Sequence, residues 1–176
     1  MFQTTIRRIE MGPIIMAAIA HNNVIGSNGK MPWGHIKRDM AYFQRVTLGH
    51  RVVMGFDAFV SIGKPLPNRI NLVMTNYPEK LARFNGSIGF VDSVDSVIKI
   101  AETKELYVLG GGRVYQQFIE RQEVRIMYIT RIIGSFSGDT YFPEFSADDW
   151  QMTRCEAHGV SEINKYPIVF ETWIRK

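Results

Sequence analysis

The chain has 176 residues, 45% of them hydrophobic and 22% charged, which suits one domain with a well-formed core and argues against disorder. Its formal net charge of +4 is scattered. No run of like charges calls for a nucleic-acid or membrane surface, although a basic cleft for a small anion is allowed. A single cysteine, Cys155, excludes an internal disulfide and a cysteine-based metal site, and fits a reducing, cytoplasmic compartment.

Residues 1 to 12 are expected to form an extension outside the core, with or without order, and Met11 offers an alternative translation start. Residues 13 to 176 are expected to form one domain. The apolar run 14 to 20, "IIMAAIA", predicts a strand buried on both faces. It is too short to cross a bilayer and lacks the small-residue cleavage site of a secretory leader. An Asn- and Gly-rich loop follows over 21 to 34. The spacing of Ile36, Met40, Phe43 and Val46 predicts a helix over 36 to 47. "HRVVMG" reads as a buried strand ending at Gly55, and "DAFVSIG" as one or two helical turns. "KPLPNR" breaks the chain. "INLVMT" and "IGFVDS" read as two further strands. A helix with Val94, Val97, Ile98 and Ala101 inward comes next. "ELYVLGGG" is a strand, "RVYQQFIE" a helix and "RIMYITRI" a strand. "WQMTRCEAHG" and "IVFETWIRK" predict a terminal hairpin. Apolar strands alternating with helices are the mark of an α/β chain with a mostly parallel, doubly covered sheet. The hairpin adds an antiparallel edge.

Four stretches could carry chemistry. Gly110, Gly111 and Gly112 follow a strand and open a helix. Without Cβ atoms the backbone can approach a phosphate at the positive end of the helix. The same glycines could instead relieve crowding in a tight turn. "VVMGFDAF" repeats the pattern at Gly55, where Asp57 can cap the following helix. In "GDTYFP", Asp139 and Thr140 can bond their own backbone as a turn. The fourth is Asp39. Its spacing from Phe43 and Val46 turns it toward the core, where desolvation would raise its pKa and suit it to proton delivery. It could equally cap the helix or pair with Arg38 or Arg45.

"IIMAAIAHNNVIGSNGKMPW", "DMAYFQRVT", "VVMGFDAFVSIGKPLPNR", "LYVLGGGRVYQQF", "YITRI" and "GDTYFP" resemble, in order and spacing, the motifs of the dihydrofolate reductase family. The resemblance runs from Ile14 to Lys176. It implies an eight-stranded, mainly parallel sheet flanked by helices. It also implies hydride transfer from NADPH to C6 of dihydrofolate with protonation at N5, serving one-carbon and thymidylate metabolism. Asp39 resembles the family's active-site acid, although it lies one residue further from Trp33 than in many bacterial members. Trp33 and Thr130 resemble the residues that hold an ordered water and the pterin amino group. Met16, Ala18, Met40, Phe43, Ile62 and Leu66 resemble the pocket around the pterin and p-aminobenzoyl ring. Arg69 resembles the arginine that grips the α-carboxylate of the substrate tail. Residues 24 to 31, with Ile25, Gly26 and Met31, resemble the loop that closes over the nicotinamide. Ala18, Leu109 and Tyr115 flank that ring.

The remaining cofactor contacts implied are Gly55, Asp57, Ala58, Met74, Thr75, Asn76, Gly110, Gly111, Gly112, Arg113, Val114, Gln117 and Thr140. The resemblance implies no metal. The partners expected are dihydrofolate and antifolates, with no nucleic acid and no membrane, for a monomer. One departure stands out. Where most members place two basic residues and a threonine after "MG", this chain has Phe56, Asp57 and Ala58, and its next strand ends in Thr75 and Asn76. The usual cationic grip on the 2′-phosphate is missing there, unless Arg51, Arg83 or Arg113 supplies it, so NADH is expected to be partly tolerated. Two other readings compete: a sibling reductase acting on another pterin or a pyrimidine, and a non-catalytic protein that kept the fold.

Overall fold

The computed structural model describes residues 12–176. The extension expected over 1 to 12 lies outside them, save for Gly12. The chain begins with the apolar strand β1 (Ile14–Ala20), buried along nearly its whole length. A short strand β2 (Val24–Gly26) follows, then helix α1 (Lys37–Thr47). Next come β3 (Arg51–Gly55), α2 (Phe56–Ile62) and β4 (Ile70–Met74). A kinked 3₁₀ segment over Pro78–Phe84 leads into β5 (Gly89–Val91). The chain continues through α3 (Val94–Ala101), β6 (Leu106–Val108), α4 (Gly112–Ile119) and β7 (Ile126–Ile132). It closes with β8 (Thr140–Tyr141), β9 (Trp150–His158) and β10 (Ile168–Arg175).

Eight strands form one sheet in the order β5-β4-β3-β6-β1-β7-β10-β9, while β2 and β8 pair separately. All pairings from β5 to β7 are parallel, and β10 adds to β7 antiparallel. The expected mostly parallel sheet with a terminal hairpin is therefore present. Two packed layers flank it. Phe118, Val97 and Trp150 lie in the cluster on one side, with Phe59, Met54 and Tyr107 in the other. Each such fully buried aromatic or aliphatic side chain stabilises the fold by about 1.5–3 kcal/mol before entropy is counted. Helix α3 is capped by Ser93, whose Oγ accepts from the Ser96 amide at 3.3 Å.

The structure corrects three sequence readings. Loop 21 to 34 contains β2, which pairs with β8 inside "GDTYFP". Both strands are too short for periodicity to show them, and their partners lie more than a hundred residues apart. The 3₁₀ segment after β4 is a further element that the sequence reading lacks, because Pro78 starts a helical turn as readily as it ends one. Finally, Asp57 is not a helix cap. The cap of α2 is Gly55, and no side-chain hydrogen bond closes that end.

Candidate active site

In an open parallel sheet, ligands bind beyond the carboxyl ends of the strands. Here β1, β3 and β6 end side by side, because β1 and β3 both pair with β6. The Gly55 amide donates to the Gly110 carbonyl at 2.7 Å, joining the ends of β3 and β6. Helix α1 packs on the same sheet face as Met16 and Tyr107, and so borders this edge.

Asp39 sits in the first turn of α1 and is 5% exposed. The cap of this helix is Ile36, in extended conformation, so Asp39 is inside the helix and not its cap. No ion pair with Arg38 or Arg45 forms among the described residues. Burial holds the Asp39 carboxyl above the usual carboxylate range, against the opposing effects of a hydrogen bond with Thr130 and the nearby His35. Thr130 is 2% exposed on β7, in register with Ala18 on β1. Phe43 and Val46 are only partly buried, so Asp39 is more enclosed than the apolar residues that share its face.

The Trp33 indole is buried, and its Nε1–H finds no acceptor in the protein. An unsatisfied buried donor costs about 1–3 kcal/mol, which suits a ligand acceptor at this point. The Tyr115 hydroxyl donates to the Met16 carbonyl at 2.8 Å, and burial pushes its phenol pKa upward, with the Asp39 charge adding to the shift. Ala18 and Leu109 are partly buried at the ends of β1 and β6, and Met40, Phe43 and Leu66 are partly buried around α1. Ile62 and Met31 are largely exposed, at 42% and 41%.

Arg69 donates through Nη1 to Thr47 Oγ1 at 3.0 Å and through Nε to the Pro67 carbonyl at 2.9 Å. Its guanidinium lies over the Phe43 ring at 5.6 Å. A guanidinium has five N–H groups, so the Nη2 end remains available to a carboxylate. Two residues that sequence reasoning passed over hold this arm. Thr47, fully buried, anchors its own hydroxyl on the Phe43 carbonyl at 2.8 Å. Asn71, 3% exposed, accepts from the Leu66 amide at 2.8 Å and donates to the carbonyls of Leu66 and Arg69. The signal for Asn71 was visible: it is a lone amide inside the buried run "INLVM".

The glycine turn fits a phosphate at one point of three. A Cβ on Gly110 would meet the Tyr115 ring at 2.7 Å, and one on Gly112 the Tyr141 carbonyl at 2.9 Å. Those two glycines answer to packing. A Cβ on Gly111 would meet nothing within 4 Å, so this residue faces open space at the head of α4. The amides of Val114 and Tyr115 turn back to Gly111, leaving those of Gly112 and Arg113 without a helical acceptor. Arg113 is exposed in that first turn. Val114 is buried, and its Cγ2 would lie 2.9 Å from a Cβ on Gly55, so its side chain serves packing. Gln117 is exposed and donates to the Arg113 carbonyl. Met74 packs against the core, Thr75 accepts from the Tyr77 amide, and Asn76 and Asp57 are exposed while Ala58 packs inward.

The loop over 24 to 31, with Ile25 and Gly26 partly buried, is tied down from two sides. Asp139 accepts from the Asn28 amide through Oδ2 at 2.7 Å and from Thr140 Oγ1 through Oδ1 at 2.7 Å. These bonds hold the Asp139 carboxyl below the usual range. "GDTYFP" is thus not simply a self-contained turn. From the opposite side, Ser61 Oγ donates to the Gly29 carbonyl.

A buried carboxyl and an open glycine turn near the carboxyl ends of the strands fit an α/β enzyme that takes a phosphate-bearing ligand. The comparisons agree with that class. A family model described as dihydrofolate reductase matches residues 13–175. The chain is 35% identical over 163 residues to the type 3 dihydrofolate reductase of Salmonella typhimurium, covering 92% of this chain and 97% of that one. It is 36% identical over 160 residues to the dihydrofolate reductase of Bacillus subtilis, covering 90% and 92% respectively. A dihydrofolate reductase from Enterococcus faecalis, solved with NADP(H) and RAB-propyl, superposes with a TM-score of 0.82 at 28% identity, covering 95% of this chain and 98% of that one. The chain belongs to the dihydrofolate reductase family. It is an NADPH-dependent enzyme that reduces 7,8-dihydrofolate to 5,6,7,8-tetrahydrofolate. No helix among the described residues is long and apolar enough to cross a membrane.

Proposed function

We propose that Asp39 is the acid of this reduction, on the observation that a carboxyl of raised pKa is buried beside Thr130 at the mouth of the sheet. Bound NADPH supplies the hydride that C6 of the substrate receives. Asp39 holds the pterin and favours the proton at N5. Thr130 and Trp33 orient the groups that reach Asp39. Met16, Ala18, Met40, Phe43, Ile62 and Leu66 enclose the rings, and Leu109 and Tyr115 back the nicotinamide. Arg69 takes the substrate carboxylate through its Nη2 end. Thr47 and Asn71 keep that arm in place.

The open backbone at Gly111, with the free amides of Gly112 and Arg113, suits a phosphate of the cofactor. Gly55, Asp57, Ala58, Met74, Thr75, Asn76, Val114, Gln117 and Thr140 border the same side. The loop with Ile25, Gly26 and Met31 excludes water when it is closed. Within this reading the enzyme is a cytoplasmic monomer whose domain spans 13 to 176, and antifolates compete with its substrate.

Oxidation of NADPH followed by absorbance, with and without dihydrofolate, tests the assignment when wild type and Asp39→Asn are compared. Dihydrofolate-dependent turnover in the wild type and its near-complete loss in the variant are expected. A variant that turns over like the wild type removes Asp39 from the chemistry.

A further inference from the structure

A second cleft lies on the other flank of α1, over the same sheet face, with a volume of about 790 Å³. That volume is within the range of small-molecule sites. Arg38, Tyr42 and Arg45 project into it from α1 at positions i, i+4 and i+7, one stripe of the helix. The two arginines are separated by about 10 Å along the axis. Its floor is the tyrosine pair Tyr107 and Tyr128 on β6 and β7, and its far wall is β9, which brings Arg154, Glu156 and His158.

The charge balance of this cleft is uneven. Neither Arg38 nor Arg45 forms an ion pair among the described residues, and Arg38 Nε is buried without an acceptor. Leaving a charged donor unmet is costly, and only a ligand acceptor or solvent can meet it here. Glu156 is the one acid in the lining. It pairs with Arg154 at 3.2 Å, and its other oxygen lies 3.0 Å from His158 Nε2. Burial pushes the phenols of Tyr42, Tyr107 and Tyr128 upward, so they stay neutral; Glu105, a second acid near this floor, already engages the buried Tyr107 hydroxyl, which leaves Tyr42 and Tyr128 as the partly exposed rings. Arg45 already stands over the Tyr42 ring at 5.5 Å, and Tyr42 leans on Phe170 at 4.3 Å between centroids.

We propose that this cleft is a binding site, separate from the active site, for an aromatic anion whose carboxylate or phosphate is held by Arg38, Arg45 and Arg154 and whose ring lies on the tyrosine floor. Guanidinium forks match planar oxyanions, and the tyrosine faces reward a ring over a bare ion. The site and the active site share α1, with Arg38 adjacent in sequence to Asp39.

Calorimetry on the full chain tests this, with the active site first filled by NADP⁺ and tetrahydrofolate. Binding of those products is itself measured, so failure of the active-site reading shows separately. Phenyl phosphate and benzene-1,2-dicarboxylate are then titrated, with inorganic phosphate and benzamide as controls, and the two aromatic arms separate phosphate from carboxylate recognition. At least one aromatic anion is expected to bind about tenfold more tightly than either control, corresponding to one charge-assisted contact or one ring contact. Arg38→Gln and Arg45→Gln are each expected to weaken it about tenfold, and Arg154→Gln, at an exposed edge, gives the same readout should either helix variant fail to fold. Aromatic anions that bind no better than inorganic phosphate, or folded variants that bind them as tightly as wild type, overturn the proposal.

Discussion

The Asn28 amide donates to Asp139 Oδ2 at 2.7 Å, bridging segments 111 residues apart in sequence. This bond ties the loop over 24 to 31, proposed above to close the cofactor site, to the turn before β8. Asp139→Ala is expected to free that loop. Hydrogen exchange at the Asn28 amide should accelerate, and the hydride-transfer rate should fall several-fold while the melting temperature changes little. Because Asp139 titrates below the usual carboxylate range, the latch should persist at mildly acid pH and be lost only as pH falls through that depressed value. Exchange that is unchanged in the variant would show that the loop is held by other contacts.

Asp39→Asn should lower turnover at neutral pH by roughly 10²–10⁴-fold, the usual contribution of a positioned acid. The loss should shrink as pH falls, since solvent protons then reach N5 without help. A pH–rate profile for both proteins reads this directly.

The same substitution should stabilise the fold. The Asp39 carboxyl has a raised pKa in the native state, so between its unfolded and folded values the native chain binds more protons than the unfolded one. Stability due to this group is therefore full below the unfolded pKa and declines as pH rises through the folded one. Asn cannot ionise and escapes that decline. Thermal melts of ligand-free protein should show the variant melting higher at pH 7, with the gap closing at acid pH. A gap of opposite sign would mean that the charged form is well solvated.

Arg69→Lys should raise KM for dihydrofolate by roughly 10–100-fold and leave kcat near wild type, because a point charge replaces a fork at the substrate carboxylate. Thr47→Val removes the acceptor of Arg69 Nη1 and should raise KM several-fold in the same direction. Asn71→Ala breaks three buried hydrogen bonds and should cost about 2–4 kcal/mol of stability as well. Steady-state kinetics and urea titration separate these effects.

NADH should serve as a partial substitute for NADPH. Asp57 is exposed in the first turn of α2, and in the proposed cofactor site a cation there would grip the 2′-phosphate. Asp57→Arg should increase the NADPH-to-NADH ratio of kcat/KM by about tenfold or more, the worth of one charge-assisted contact. A wild-type preference for NADPH above about a thousandfold would instead mean that more than two such contacts arise elsewhere, with Arg113 beside Gly111 the first place to look.

Local chemistry wrote much of this molecule into its sequence. Apolar runs mark β1, β3 and β4, since a strand covered on both faces carries a polar residue only where that residue is hydrogen-bonded, as Asn71 is in β4. The glycine turn after β6 and the helical spacing of α1 are equally plain. Three things needed the folded chain. Whether Asp39 caps α1 or lies buried depended on where the helix begins, and Ile36 settles that by taking the cap position. Which of Gly110, Gly111 and Gly112 faces open space depended on Tyr115 and Tyr141, whose positions come from α4 and β8. The β2–β8 pair, the Asp139 latch and the Asn71 anchor join residues through contacts that no local period records. Short-range preference acts through neighbours along the chain, whereas these contacts exist only once the sheet has brought distant segments together.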